Sequence, residues 1–485
     1  MLRAVRRYFL GLSNIFTVVL LLIVFFVVLN LLAGIFNFKL DLSKDKIYTL
    51  SPATYNVLKN VDDVIQIKFI ASSNIPKQFM PLKDRVLGLL QEYKKANPNV
   101  TVEVLDPDKD STAEKLVSQQ GLPQLQFTEQ KSGQLSLSNA YFGIIIQYLD
   151  KSEIIPQVLS VEGLEYDITS AIYRLVNKDL PEVGVVGYES SFANQNSSIT
   201  NLDSVLRKQF LVTYPQLEDA DLSRTKLLFI IDDGQKSYST SEAKIITDYI
   251  NKKGNAIIIA DGVWVSDATL TTTPANHNLN EVLKNFGLEI EPNLILSNSA
   301  ELVNFGGGQL SLVLPYRFWV KTNVFNPDKS IFNNINTLTY PWVSSIKVKD
   351  NSIVEPLVKT TNQSWAQTNE FNLSPETAAD PVPEETQSFV VSALAEKKSA
   401  GKVAVISSRR FVLDQFQSQN DNLNFISNLA LSLTNNQLAG IRNKSAGVYI
   451  LPVYSYPFSE ILKYSLIFLF PALFLILGVV KAVRR

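Results

Sequence analysis

Asp232, Asp233 and Asp261 are the residues whose type and position point most directly to chemistry. They lie at or just past the carboxyl ends of two stretches that read as buried parallel strands, Leu227–Asp232 and Ala256–Ala260. Open α/β sheets bind ligands outside the carboxyl ends of their strands, where strand order reverses. Two readings stand for these carboxylates: a ligand site, or caps for helices and turns, the commoner duty of Asp in loops. Glycoside hydrolysis needs a carboxylate pair about 5–9.5 Å apart, a spacing that sequence does not reveal.

Other candidates are weaker. His277, the only histidine, sits in the polar run Thr273-Pro-Ala-Asn-His-Asn278 and reads as an exposed loop residue. No G-x-S-x-G elbow surrounds any serine, so a hydrolase triad lacks its frame. Gly306-Gly307-Gly308 reads as a hairpin turn, because no Lys-Ser/Thr follows it as a phosphate-binding loop requires. The chain therefore shows no ATPase motif of its own. Trp319, Trp342 and Trp365 suit contact with sugars or a partner, and core packing or isolated surface positions equally well.

Composition narrows the chemistry further. The chain has no cysteine, which excludes disulfides, thiolate metal sites and a cysteine nucleophile. A single histidine excludes a multi-histidine metal centre. No metal or cofactor is expected. With a formal net charge of −1 and no basic stripe, nucleic acid is not an expected partner. A length of 485 residues, 46% of them hydrophobic, suggests two or three domains.

The elements that must position the carboxylates follow from periodicity. Ser51 reads as a helix N-cap with Pro52 at the first helical position. Val64–Ile70 is a strand, Pro81–Ala96 has helical spacing (Leu82, Val86, Leu89, Leu90, Tyr93), and Val100–Leu105 alternates as a strand. That β-α-β order implies a parallel pair with a crossover. Leu122–Phe127, Gln134–Ser138, Tyr141–Tyr148 and Glu153–Val158 read as hairpin-connected strands, with a turn at Lys131-Ser-Gly133. Val161–Leu175 is an amphipathic helix closing this region. A second unit begins at Pro181: strand Val183–Gly187, a helix carrying Ser204–Gln209, strand Leu227–Asp232, helix Ser241–Lys253 capped by Ser239, Thr240 or Ser241, and strand Ala256–Ala260. Continuous apolar strands alternating with helices indicate a parallel sheet covered on both faces. Short strands fill about 290–360, Phe371–Gln387 is an acidic, proline-bearing loop, and Gln387–Ala395 and Lys402–Ser407 are strands that rejoin the preceding sheet. Asn422–Leu433 is a helix.

Hydrophobic segments stand near both ends. Ile15–Phe36 is almost unbroken Ile, Leu, Val and Phe. About twenty such residues cross a hydrocarbon core of about 30 Å. Leu-Leu-Ala-Gly-Ile-Phe36 is a poor cleavage site, so the segment reads as an uncleaved anchor. Tyr464–Val480, interrupted by Pro471, is shorter and has no polar face, so it reads as a second span with Lys463 and Lys481 snorkelling. Arg3, Arg6 and Arg7, with Lys481, Arg484 and Arg485, place both termini in the cytoplasm by the positive-inside rule, although Lys39, Lys44 and Lys46 weaken the first vote. Residues from about 38 to 460 are expected outside the cytoplasm.

Several segments, in order, resemble one family. Phe38-Lys-Leu-Asp-Leu-Ser-Lys-Asp-Lys-Ile-Tyr-Thr-Leu-Ser51 is similar to a D-L-[ST]-x-x-K-x-Y-[ST]-L-S pattern, and Leu105-Asp-Pro-Asp108 follows the second strand. Gly401-Lys-Val-Ala-Val-Ile406, Asn424-Phe-Ile-Ser-Asn428, Gly440-Ile-Arg-Asn-Lys444 and Arg484-Arg485 complete the match. The chain resembles the GldG-type, gliding-motility-associated auxiliary component of ABC transporters. The resemblance implies an α/β, two-span membrane protein: a terminal helix (1–37), a first, thioredoxin-like α/β domain (38–180), a glutamine-amidotransferase-like parallel-sheet domain (181–440) with a β-rich insertion at about 290–390, and a second anchor (441–485). It implies an ABC ATPase and a polytopic permease on separate chains as partners, in the bacterial inner membrane. It also implies binding or presentation rather than catalysis, consistent with the missing amidotransferase cysteine. One departure stands out: Ser407-Ser-Arg-Arg410 occupies a turn where an acidic residue is expected. The expected function is a non-enzymatic accessory subunit that binds substrate or couples the permease to the envelope. The alternatives are an envelope polysaccharide or peptidoglycan hydrolase using Asp232 and Asp261, or a structural tether.

Overall fold

The computed structural model describes residues 23–28, 49–131, 134–161, 163–177, 179–188, 198–305, 313–333, 335–376, 381–417, 421–436, 438, 441, 465 and 468. Apart from Ile23–Val28, Ser465 and Phe468, both hydrophobic segments lie outside the described residues. So do Ser132, Gly133, the Gly306–Gly308 cluster and most of the two juxtamembrane segments. Among the described residues no helix is long and apolar enough to cross a membrane. The described residues up to Ile441 fall within one compact unit.

The first region opens with α1 (Pro52–Lys59), whose N-cap Ser51 accepts the Thr54 N–H, with Pro52 in the first turn as expected. Then come β1 (Ile65–Ala71), α2 (Met80–Ala96), β2 (Val100–Leu105), α3 (Ser111–Gln120), β3 (Leu125–Lys131), β4 (Gln134–Ala140), β5 (Phe142–Tyr148), β6 (Lys151–Ile155) and α4 (Leu164–Val176). Helix α2 buries Leu82, Val86, Leu90 and Tyr93 as its spacing predicts. The sheet runs β2-β1-β5-β6, with β1 and β2 parallel and β5 antiparallel to both neighbours; β3 and β4 pair apart as a hairpin. Helix α3 was not expected from the sequence. It buries only Ala113 and Val117, too short a stripe to read as a period.

The second region contains β7 (Glu182–Val186), α5 (Thr200–Arg207), β8 (Leu211–Thr213), β9 (Thr225–Ile231), α6 (Thr240–Asn251), β10 (Asn255–Ile259), β11 (Val263–Val265), β12 (Thr272–Pro274) and α7 (Leu279–Lys284). A β-rich excursion contains β13 (Val324–Phe325) and β14 (Val354–Lys359), and after it come β15 (Val390–Glu396), β16 (Lys402–Ile406) and α8 (Asn422–Leu433). One eight-stranded sheet runs β13-β14-β15-β16-β10-β9-β7-β8. The expectation of a parallel sheet needs correction: β16, β10, β9, β7 and β8 are parallel, but β13, β14 and β15 extend the sheet antiparallel. The connection from β15 to β16 is a short hairpin, too short for a crossover, which forces the antiparallel pairing. The β-rich excursion is likewise not wholly apart, because it lends β13 and β14 to this sheet.

Alternation places the core on both faces. In β9, Leu227, Phe229 and Ile231 face one core while Leu228 and Ile230 face the other. In β10, Ile257 and Ile259 oppose Ala256 and Ile258 in the same way. Helices α6 and α7 cover one face, and α5 and α8 the other, so these strands read as unbroken apolar runs. Ser239 caps α6: its hydroxyl accepts the Glu242 N–H at 3.1 Å, and the Glu242 carboxylate accepts the Ser239 N–H at 2.8 Å.

Candidate functional site

The chain passes from β7 outward to β8, then returns across β7 to β9 and β10. Strand order therefore reverses between β7 and β9. Gly187 and Asp232 follow these two strands directly. Gly187 has φ +99°, and a Cβ there would stand 1.9 Å from the Ile231 carbonyl oxygen, so only glycine lets the strands close at this point. The structure thus brings Asp232, Asp233 and Asp261 to the carboxyl edge that the sequence indicated.

Their side chains are engaged by the protein itself. Asp232 is fully buried; one oxygen accepts the Gly234 N–H at 2.8 Å, and the other accepts the Trp264 indole N–H at 2.7 Å and the Asp261 N–H at 3.3 Å. Asp233 is half-buried and turns the loop by accepting the N–H groups of Gln235 and Lys236. Both carry the turn-capping role that was the alternative to ligand binding.

Asp261 is fully buried and holds two arginines from the turn after β16. Its Oδ1 accepts the Arg409 N–H at 2.7 Å, while its Oδ2 accepts Arg409 Nε and Arg410 Nη1, each at 3.1 Å. Arg409 also donates to the Asp233 carbonyl at 3.2 Å. Arg410 continues to Asp267, at 2.9 Å from Nε and 2.5 Å from Nη2, and donates to the Val265 carbonyl. Its guanidinium lies 4.6 Å from the centroid of the Trp342 ring. Burial pushes the Asp261 carboxyl up to about 6 against the opposing pull of Arg410 and Arg409. The unexpected basic turn Ser407–Arg410 is therefore the lock on this edge. Sequence reasoning noticed the basic turn but not that Arg409 and Arg410 hold Asp261, and it missed Asp267 and Trp264; two arginines just past an apolar strand were the available signal.

His277 corrects an expectation. It is buried, 2% exposed, rather than an exposed loop residue. Its Nδ1 accepts the Leu279 N–H at 3.0 Å, so the neutral ring donates from Nε2 to the Asp261 carbonyl at 2.8 Å. Both nitrogens thereby join the start of α7 to the end of β10. Trp342 is buried and packs edge-on against Trp319, centroids 5.6 Å apart, forming the wall behind Arg410. Trp365 does not join them and lies under the Arg317 guanidinium, 5.3 Å away. The phenols of Tyr188 and Tyr238 are buried beside Asp232 and Asp233, and burial raises the titration of both. A cavity of about 720 Å³ opens at the other end of the sheet, beside Lys226, Tyr249, Lys253, Asn255 and Asn435.

Comparison with known proteins places this architecture. Residues 180–436, more than half of the chain, match the ABC_transp_aux family, described as an ABC-type uncharacterized transport system. Residues 44–147 match DUF7088, a domain of unknown function. An uncharacterized protein of Borreliella burgdorferi is 28% identical over 368 residues, covering 73% of this chain and 70% of that protein. Among solved structures, the mmIFT52 N-terminal domain is 14% identical at a TM-score of 0.36, covering 52% of this chain and 97% of that one. A putative ThuA-like protein from Bacteroides uniformis is 11% identical at a TM-score of 0.31, covering 53% and 93%. Likenesses this distant carry no functional argument. On the match that embraces the whole eight-stranded sheet, the chain belongs to the ABC-type transport system auxiliary family, and membership implies association with ABC transporter components.

Proposed function

We propose that this chain is a non-enzymatic, GldG-type accessory subunit of an ABC transporter, with the ATPase and the polytopic permease on separate chains. Its two terminal hydrophobic segments hold it in the inner membrane with both termini cytoplasmic. Its α/β body stands outside the cytoplasm, where it binds substrate or couples the permease to the envelope. The observation that carries the reading is the family match over residues 180–436.

Three features support the finer points. Ile23–Val28 is helical and wholly apolar, with Phe26 69% exposed, a surface suited to lipid or a partner helix rather than water. The order β2-β1-β5-β6 supports a thioredoxin-like first domain, and the five parallel strands support an amidotransferase-like second one. Both oxygens of Asp261 are held by arginines, which favours a structural over a catalytic carboxylate. The test is affinity purification of the tagged full-length protein in mild detergent. Recovery of an ABC ATPase and a permease in comparable amounts is expected. Recovery of the protein alone, stable and monodisperse, would overturn the reading.

A further inference from the structure

Helix α4 lies in neither family-matched stretch, 44–147 or 180–436, yet it is fastened to both. Glu165, Thr169 and Tyr173 are spaced at i, i+4 and i+8, so they form one line along the helix. All three are buried. At one end, Glu165 Oε1 accepts the Ser51 backbone N–H at 2.6 Å and the Thr54 hydroxyl at 2.7 Å. The Thr169 hydroxyl stands 3.1 Å from that of Thr54 and 2.5 Å from that of Tyr93. Tyr93 in turn donates to the Glu165 carbonyl at 2.8 Å. At the other end, the Tyr173 hydroxyl lies beside the Asn436 amide, just past α8. On a neighbouring face, Arg174 holds Glu153 of β6 at 3.1 and 2.7 Å and donates to the Lys208 carbonyl at 2.7 Å, in the turn between α5 and β8.

Ser51 is about fifteen residues past the end of the N-terminal hydrophobic segment at Phe36. Among the described residues the N-terminal chain is already packed in the core at Leu50, and Ser51 and Thr54, the next polar groups, bond Glu165. A helix of 13 residues is about 20 Å long, so the arriving segment at Glu165 and the Lys208 turn bonded by Arg174 are held on one short strut. Two of the donors that satisfy the buried carboxylate come from the arriving segment. Releasing Ser51 and Thr54 takes both away together, and a buried carboxylate tolerates such a loss poorly. The contact is accordingly held or broken as a unit.

We propose that Glu165 is a clasp: a positioning residue that fastens the segment arriving from the N-terminal hydrophobic stretch to α4. Movement of that segment then passes through α4 to the turn before β8. The source of the movement rests on the accessory-subunit reading; the clasp itself does not.

The chain's lack of cysteine makes the test direct, because two introduced cysteines are the only labelling sites. Asn56→Cys on α1 and Asn251→Cys at the end of α6 are both exposed positions. Spin-label distances are measured between them in the full-length protein purified in detergent and freed of other subunits, whose own cysteines would take label, while ATPase activity is read on the unlabelled co-purified complex. One narrow distance is expected in the parent and in Glu165→Gln, which retains an acceptor oxygen. Glu165→Ala and the near-isosteric Thr54→Val are expected to broaden it, and to lower ATPase stimulation of the co-purified complex at least about fivefold. An unchanged narrow distance in both variants overturns the clasp, and Thr54→Val keeps the test open should Glu165→Ala misfold. A broadened distance with unchanged ATPase rate overturns the coupling. Absence of any co-purified ATPase tells against the accessory-subunit reading alone, since the distance reports on the clasp independently.

Discussion

Asp261 and Glu165 are both buried carboxylates in one compact unit, and they bind their neighbours through donors of different charge. Asp261 faces two guanidiniums that come from 148 and 149 residues further along the chain. At Glu165 the donors at 2.6 and 2.7 Å are a neutral backbone N–H and a neutral hydroxyl. The first arrangement ties β10 to the turn after β16 and seals the edge where open sheets bind ligands. The second joins an arriving segment to a helix through groups that carry no charge of their own. A counter-ion pair suits a permanent closure, because separating it leaves charge buried on both sides. Neutral donors leave no second charge buried when they part, so this joint opens at the cost of one uncompensated carboxylate rather than of a broken ion pair.

The largest expected effect tests the sealed edge. Asp261→Ala leaves Arg409 buried without a carboxylate and Arg410 with Asp267 alone, and should cost about 3–5 kcal/mol in chemical denaturation. A loss below about 1 kcal/mol would mean that the arginines find other acceptors and the closure is not built on Asp261. Glu165→Ala should cost less, about 1–3 kcal/mol, since it removes an acceptor from two neutral donors. Equal losses at the two sites would erase the distinction drawn between them.

Acid titration sharpens the comparison further. With its folded value raised to about 6, Asp261 binds a proton in the native state that the unfolded chain releases nearer to about 4. The stability contributed by this group is present below the unfolded value and is lost as pH rises through about 6, by at most about 1.4 kcal/mol per pH unit. Asp261→Asn should flatten that slope in melts run from pH 4 to 7. A slope of the same sign and size in the variant would assign it elsewhere. The smallest effect belongs to Ser239→Ala, which removes half of the α6 capping box and should lower stability by about 1 kcal/mol without altering either carboxylate centre. A change in the pH slope of this variant would show that the cap and the sealed edge are coupled.

The carboxyl-edge position of the aspartates was legible because Leu227–Ile231 and Ala256–Ala260 are continuous apolar runs, each followed at once by an aspartate. Ser51-Pro52 and the 3.6-residue stripe of α2 were legible for equally local reasons: a cap, a fixed φ and a period. What closes over the aspartates was not legible. Arg409 and Arg410 sit in a turn whose direction depends on β16 lying beside β10, a pairing between segments almost 150 residues apart. His277 was misread because its neighbours in sequence are polar, whereas its neighbours in space are a carbonyl and an N–H that satisfy both ring nitrogens.

The sequence by itself determined the local elements and the class of chemistry left available, because capping, periodicity and residue inventory act over a few positions. It also carried the order of segments that places the chain in its family. Which polar residues are buried, and which partners make that burial tolerable, was decided only by the tertiary structure. Desolvation and hydrogen bonding depend on contacts between distant segments, and no local pattern encodes them.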